Sequence, residues 1–367
     1  MTRVRGPISL IAIAGGILLV AGVLWDAFEN AVLSRRVSRG MRLTTIFYRW
    51  TWPVWRWAAS RIHSERRREN FLTVFGPLSL LLLIALWALT LVVGFGLVFW
   101  GAGSRMQSSE GQTGFFVDLY MSGTTLFTLG LGDVTPLSPA GRAITVAESG
   151  IGLGFLALMI AYLPVLSQAF SAREVSISLL DARAGSPPSG SELLRRHGHD
   201  WGSLGPVLHD WERSSAQLLE SHVSFPVLAF YRSQHDNQSW VAAITAVLDT
   251  CALLIAFVPK CPLQQARLTF AMARHAVADL GYVLNLTPRP PQPPRLSREE
   301  LVRLLGSLVD SGIVIQSDAA ADRRFDELRA MYEPSVEALS RRLLMPLPPW
   351  IPPERVHENW LATAQER

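Results

Sequence analysis

Cysteine is nearly absent from this chain, with only Cys251 and Cys261 among 367 residues. A disulfide framework is therefore excluded, and both are expected to be free thiols, with Cys251 in a core. Charge is missing from two long stretches, Phe71 to Ser104 and Ser149 to Ala172. Each exceeds the roughly 20 apolar residues that cross a bilayer, which excludes a wholly soluble protein. No strand followed by a glycine-rich loop appears, so a nucleotide-binding domain of that kind is not expected. His197, His199, His209, His222 and His235 match no metal-ligand spacing and read as surface or capping residues. No nucleophile and base stand together, so the chain does not read as an enzyme. Residues 1–171 carry 14 basic and 8 acidic side chains, against 20 and 22 in 172–367. The basic surplus lies in the membrane half, which speaks against nucleic acid as a partner.

What is present is apolar: 49% hydrophobic residues, 12 Trp and a mean hydropathy of +0.23. Gly6 to Trp25 is a third uncharged run, after Arg3 and Arg5. A signal peptide competes for it, but the run is long and no small-x-small cleavage site follows, so an uncleaved helix over 1–33 is expected. Ser34 to Arg68 holds ten Arg and one acid, Glu65. Such a loop stays in the cytoplasm. The N-terminus is then outside, the loop after the second span opens outside, and residues beyond about 172 are cytoplasmic. Phe47, Tyr48, Trp50, Trp52, Trp55 and Trp57 share the basic loop. Rings and Arg together predict a helix over about 42–68, broken near Pro53, on the anionic inner leaflet, with lipid contacts at Arg residues of 35–68. The spacing of Arg36, Arg39 and Arg42 by three fits lipid headgroups better than a voltage sensor.

Between the two longer spans, Phe115 to Phe127 reads as a helix too short and polar to cross. Thr128-Leu129-Gly130-Leu131-Gly132-Asp133 follows it. Alone, Gly130-x-Gly132 fits any tight loop. At membrane depth, irregular backbone is tolerated only where protein buries it or a wet cavity meets it. Glycine tolerates backbone angles other residues resist, so carbonyls can turn to one side while alternate side chains pack away. Thr128 can add a hydroxyl ligand, and Asp133 a negative charge at the exit.

Residues 71–171 resemble the two-transmembrane pore domain of prokaryotic potassium channels. The matches are Phe116-x-Asp118, Thr124-Thr125-Leu126, Thr128-x-Gly130-x-Gly132-Asp133, Pro136, Gly141-Arg142, and glycines at 150, 152 and 154. The resemblance implies an all-α membrane protein whose pore domain (70–172) has an outer helix (71–100), a pore helix (115–127), a selectivity filter (128–133) and an inner helix (141–171). It implies potassium ions held by carbonyls at Thr128, Leu129, Gly130 and Leu131, as permeant ligands and with no cofactor. One loop per chain implies a homotetramer in the plasma membrane. Leu131 stands where the family usually has an aromatic, although some channels with two pore loops per chain also carry Leu. A weakly selective sodium/potassium channel is one alternative, and a non-conducting receptor on the same scaffold another.

Thr124, Thr125 and Glu148 are expected to support the pore, with Glu148 bonded to the back of the pore helix at Thr124, Thr125 or Ser122; a cation-attracting ring in the cavity is the alternative reading of Glu148. Gly150, Gly152, Gly154 and Pro164 are gating candidates: the glycines either pack closely or hinge, and Pro164 kinks the helix. Residues 173–190 read as a linker with a hinge at Gly185-Ser-Pro-Pro-Ser-Gly190, and 191–367 as a cytoplasmic α-helical domain. Helical periodicity marks Leu204–His222, Ser239–Phe257 and Leu263–Asn285. A capping box at Ser297-x-x-Glu300 opens a helix over Leu301–Val309, and Phe325–Leu344 follows. Val241 to Val258 is apolar enough to span but carries Asp249 centrally, which favours a buried core helix. The segment Phe225 to Trp240 resembles the C-terminal region of other bacterial channel proteins, without a role attached.

Overall fold

A computed structural model describes residues 6–31, 43–108, 111, 113–198, 200–235 and 237–352. Arg3, Arg5, Arg35, Arg36, Arg39, Arg42 and His199 lie outside these described residues. The chain divides into two compact units, 1–167 and 168–367. Most of the described structure is helical, and among the described residues four helices are long and apolar enough to cross a membrane.

The first unit holds α1 (Pro7–Ala31), α2 (Leu43–Ser60), α3 (Glu65–Gly101), α4 (Phe115–Leu126) and the start of α5 (Pro139–Ala184). Helices α1 and α3 run antiparallel in close contact. A Cβ on Gly16 would sit 2.4 Å from the Gly94 carbonyl, and one on Gly101 2.7 Å from the Ser9 carbonyl. Only glycine allows backbones so near, as is usual between membrane helices. At the far end, Asp26 is buried and joins three helices. Its Oδ2 accepts from the Trp87 indole (2.9 Å) and from the Thr44 hydroxyl (2.7 Å) and amide (3.2 Å).

The expected break at Pro53 does not occur, because α2 runs through it. Rings on both sides of the proline dock on α3 and hold the halves in line. Trp52 packs on Phe75 at 4.8 Å and Trp55 stacks on Phe71 at 4.3 Å. The opposite face exposes Ile46, Trp50, Val54 and Trp57, with Arg61 over the Trp57 ring. The outer helix begins at Glu65, six residues before the uncharged run. A two-stranded ribbon pairs β1 (Met106–Ser108) with β2 (Val134–Pro136) antiparallel, placing Ser108 opposite Val134.

The second unit contains the end of α5, then α6 (Gly190–His197), α7 (Trp201–Ser224), α8 (Trp240–Phe257), α9 (Leu263–Val283), α10 (Arg298–Asp310) and α11 (Ala319–Leu343). The expected linker over 173–190 is corrected. Helix α5 continues to Ala184, because Arg173, Ile177, Leu180 and Asp181 are buried along one face. The supposed hinge at 185–190 is a packed turn. Ser186 and Ser189 are buried, and a Cβ on Gly190 would lie 2.8 Å from the Thr250 amide. Helix α8 is buried almost throughout against α6, α9 and α11. Its Asp249 is satisfied by Arg295 (3.0 and 3.2 Å) and the Tyr332 hydroxyl (2.5 Å). The capping box at Ser297 and Glu300 is formed.

Candidate functional site

Helix α4 lies between α3 and α5, and small residues set its position. A Cβ on Gly96 of α3 would meet the Leu119 Cα at 3.2 Å. On α5, a Cβ on Gly152 would be 2.3 Å from the Leu126 carbonyl, at the last turn of α4. Gly150 and Gly154 are exposed, with open space where a Cβ would go. The three glycines are therefore not equivalent. Only Gly152 makes a close approach, so packing accounts for it where a hinge was the other expectation. Pro164 lies inside α5 without ending it.

The loop after α4 turns on alternate residues. Thr128, Gly130 and Gly132 have φ of +56°, +55° and +77°. Thr128 is strained there, since a Cβ in the left-handed region costs about 1–2 kcal/mol. The turn is held by the Thr124 carbonyl, which accepts from the amides of Leu129 (2.8 Å) and Gly130 (3.4 Å). The Thr125 carbonyl accepts from Thr128 (3.0 Å). The Thr124 hydroxyl donates to Met121 (3.0 Å), so its side chain ties down the helix rather than reaching the loop. At the loop's end the Tyr120 hydroxyl donates to Asp133 at 2.8 Å, and β2 follows at once. Tyr120 was not singled out by sequence, although it stands 13 residues before Asp133. Within one chain the loop is exposed: Leu129 is 61% and Leu131 63% accessible.

Glu148 is fully buried on α5. Its Oε1 lies 2.5 Å from the Ser122 hydroxyl, which is also 2.9 Å from the Val92 carbonyl of α3. One hydroxyl thus joins α3, α4 and α5.

In the second unit, His222 is corrected from a surface residue to a core one, 1% exposed. Its Nδ1 lies 2.9 Å from the Leu218 carbonyl and its Nε2 3.3 Å from Arg173. Only the neutral ring with Nδ1 protonated suits both neighbours. Burial, then the Arg173 charge, push its pKa down to about 3. Arg173 also donates to the carbonyls of Leu228 and Tyr231, so the 225–240 segment is stitched to α5. His197 and His209 are only partly buried or exposed, and no group of three or more metal-ligating side chains occurs among the described residues.

Comparison with known proteins agrees with this geometry. Residues 80–166 match a family model described as "ion channel". That is a family of transport proteins, not of enzymes. The chain is 26% identical over 292 residues to an uncharacterized membrane protein, YdjJ, of Bacillus subtilis strain 168. The match covers 77% of this chain and 82% of that protein. No solved structure matches the chain significantly.

Proposed function

We propose that the ion-channel domain conducts potassium, with Thr128 to Asp133 as its selectivity filter. The observation that carries the reading is the alternation of left-handed backbone at Thr128, Gly130 and Gly132. A chain that alternates in this way can turn successive carbonyls toward one axis, where they replace the water of a dehydrated cation. Four such loops are needed to enclose an ion, so the channel is a homotetramer. The exposure of Leu129 and Leu131 supports this, because their packing must come from neighbouring copies. Conduction then proceeds by repulsion between ions in adjacent carbonyl cages. Helix α4 aims its negative C-terminal end at the cavity, which favours a cation there.

The domain boundaries follow from this reading: a spanning α1, an interfacial α2, a pore domain from α3 to the middle of α5, and a cytoplasmic helical domain. In the plasma membrane the N-terminus faces outward and the second unit faces the cytoplasm. The exposed Trp50, Val54 and Trp57 of α2 would enter the inner leaflet beside its Arg residues and anionic lipids. Four inner helices would converge near Pro164 to Gln168 as a gate.

The test is flux through purified protein in liposomes under opposed potassium and sodium gradients. Potassium flux with little sodium flux is expected. Equal fluxes would replace this reading with a weakly selective channel, for which Leu131 supplies a reason: Leu packs but cannot hydrogen-bond to brace the filter. No flux of either ion would overturn the channel reading.

A further inference from the structure

The Ser122 hydroxyl has two acceptor oxygens around it and one proton to give. Glu148 Oε1 is at 2.5 Å and the Val92 carbonyl at 2.9 Å. If Glu148 were a carboxylate, Ser122 could satisfy only one of them. The carboxylate would then keep a single bond, since its Oε2 is buried and has no partner among the described residues. Among the described residues no cation compensates it. Helix α3 bears no charged residue from Phe71 to Gly101. The ionisable groups of α4 are Asp118 and Tyr120, one an acid and the other bonded to Asp133. Arg142 of α5 is turned to the Pro136 carbonyl. An unpaired buried carboxylate at this depth is expensive.

We infer that Glu148 is a neutral carboxylic acid that donates its proton to Ser122, which in turn donates to the Val92 carbonyl. The two bonds form one directed chain from α5 through α4 to α3. All three oxygens are then served, and Oε2 is left as the uncharged carbonyl of the acid. Loss of the proton reverses the chain: Ser122 must turn to the carboxylate, its bond to Val92 breaks, and a bare charge remains in the core. Glu148 is thus a positioning residue, acting on the filter through the pore helix. Its consequence for conduction rests on the reading of residues 128–133 as the filter; its protonation does not.

Infrared spectroscopy of the protein in lipid nanodiscs tests the protonation directly. At neutral pH a protonated-carboxyl band should be present and should vanish in Glu148→Gln. A difference spectrum without that band overturns the inference, whatever the protein conducts. Flux in liposomes tests the consequence. Glu148→Gln keeps a neutral donor and should conduct as the parent does, with no loss in alkali. The parent should lose flux by about tenfold per pH unit once the acid ionises. Glu148→Gln conducting far less than the parent at neutral pH would overturn the positioning role. Absent flux in every protein, with the infrared band intact, would instead overturn the filter reading and leave the neutral acid standing.

Discussion

The Tyr120 hydroxyl donates to the Asp133 carboxylate across 2.8 Å, joining the middle of α4 to the end of the loop that follows it. The two residues bracket the loop 128–132, whose proposed role is that of a filter. Removing the bond with Tyr120→Phe leaves the ring in place and frees the carboxylate. The bond is exposed to solvent, so its loss should loosen the loop between the two residues without unfolding the helices around it. Reversal potentials in mixed potassium and sodium salts should shift toward zero selectivity. Unchanged selectivity would show that the ribbon of Ser108 and Val134 holds the loop alone.

Gly130 and Gly132 occupy the left-handed region with open space around them, so a methyl group would meet backbone strain rather than a neighbour. Gly130→Ala or Gly132→Ala should therefore abolish conduction while the oligomer, measured by light scattering in detergent, stays intact. Normal currents in either variant would refute the filter assignment.

The inner-helix glycines separate by environment. Gly152→Ala should destabilise the first unit, because its Cβ would collide with the Leu126 carbonyl at the last turn of α4. Overpacking of this kind typically costs about 1–3 kcal/mol. Gly150→Ala and Gly154→Ala should be neutral within one chain, or stabilising by roughly 0.5–1 kcal/mol. Thermal unfolding of the three variants in detergent gives the order. If Gly154→Ala proves the most damaging, a neighbouring copy must sit close to that position.

His222 makes the stability of the second unit depend on pH in a defined direction. Its folded pKa is pushed down to about 3 by burial and by Arg173, below the ordinary 6.5. The unfolded chain therefore binds a proton that the folded chain refuses. The contribution of the neutral ring is complete above pH about 6.5 and is lost as pH falls toward 3, by about 1.4 kcal/mol per unit at most. Denaturant titrations should show His222→Gln with a flatter acid limb than the parent between those pH values. Equal slopes would place the acid sensitivity in other groups.

Helices α1, α3 and α5 were legible because composition alone marks their uncharged runs, and Gly-x-Gly stands out between the last two. Where structure and reading part, contacts decided the matter. Gly150, Gly152 and Gly154 are identical in sequence, and only their neighbours tell packing from open space. Helix α3 starts in the charged Glu65–Asn70 stretch, which a search for apolar residues passes over. The ribbon at Met106 and Val134 is too short to show alternation. The α5 extension was hidden by its Ser and Arg residues, whose buried partners lie far along the chain. His222 had a visible signal: it completes the series Leu204, Leu208, Trp211, Ser215 and Leu218 on the buried face of α7. A metal-spacing search looks past such a face.

Helix α8 emerges from the ribosome well before the groups that neutralise it. Asp249 waits 46 residues for Arg295 and 83 for Tyr332. Until then α8 is an apolar segment of 18 residues that follows three other helices long and apolar enough to cross a membrane. An acid at the centre of such a segment raises the cost of insertion by about 2.5–3.5 kcal/mol. The same carboxylate that closes the core of the second unit would therefore also disfavour insertion of the nascent helix. Asp249→Leu would remove both functions at once and give the translocon a fourth segment to take.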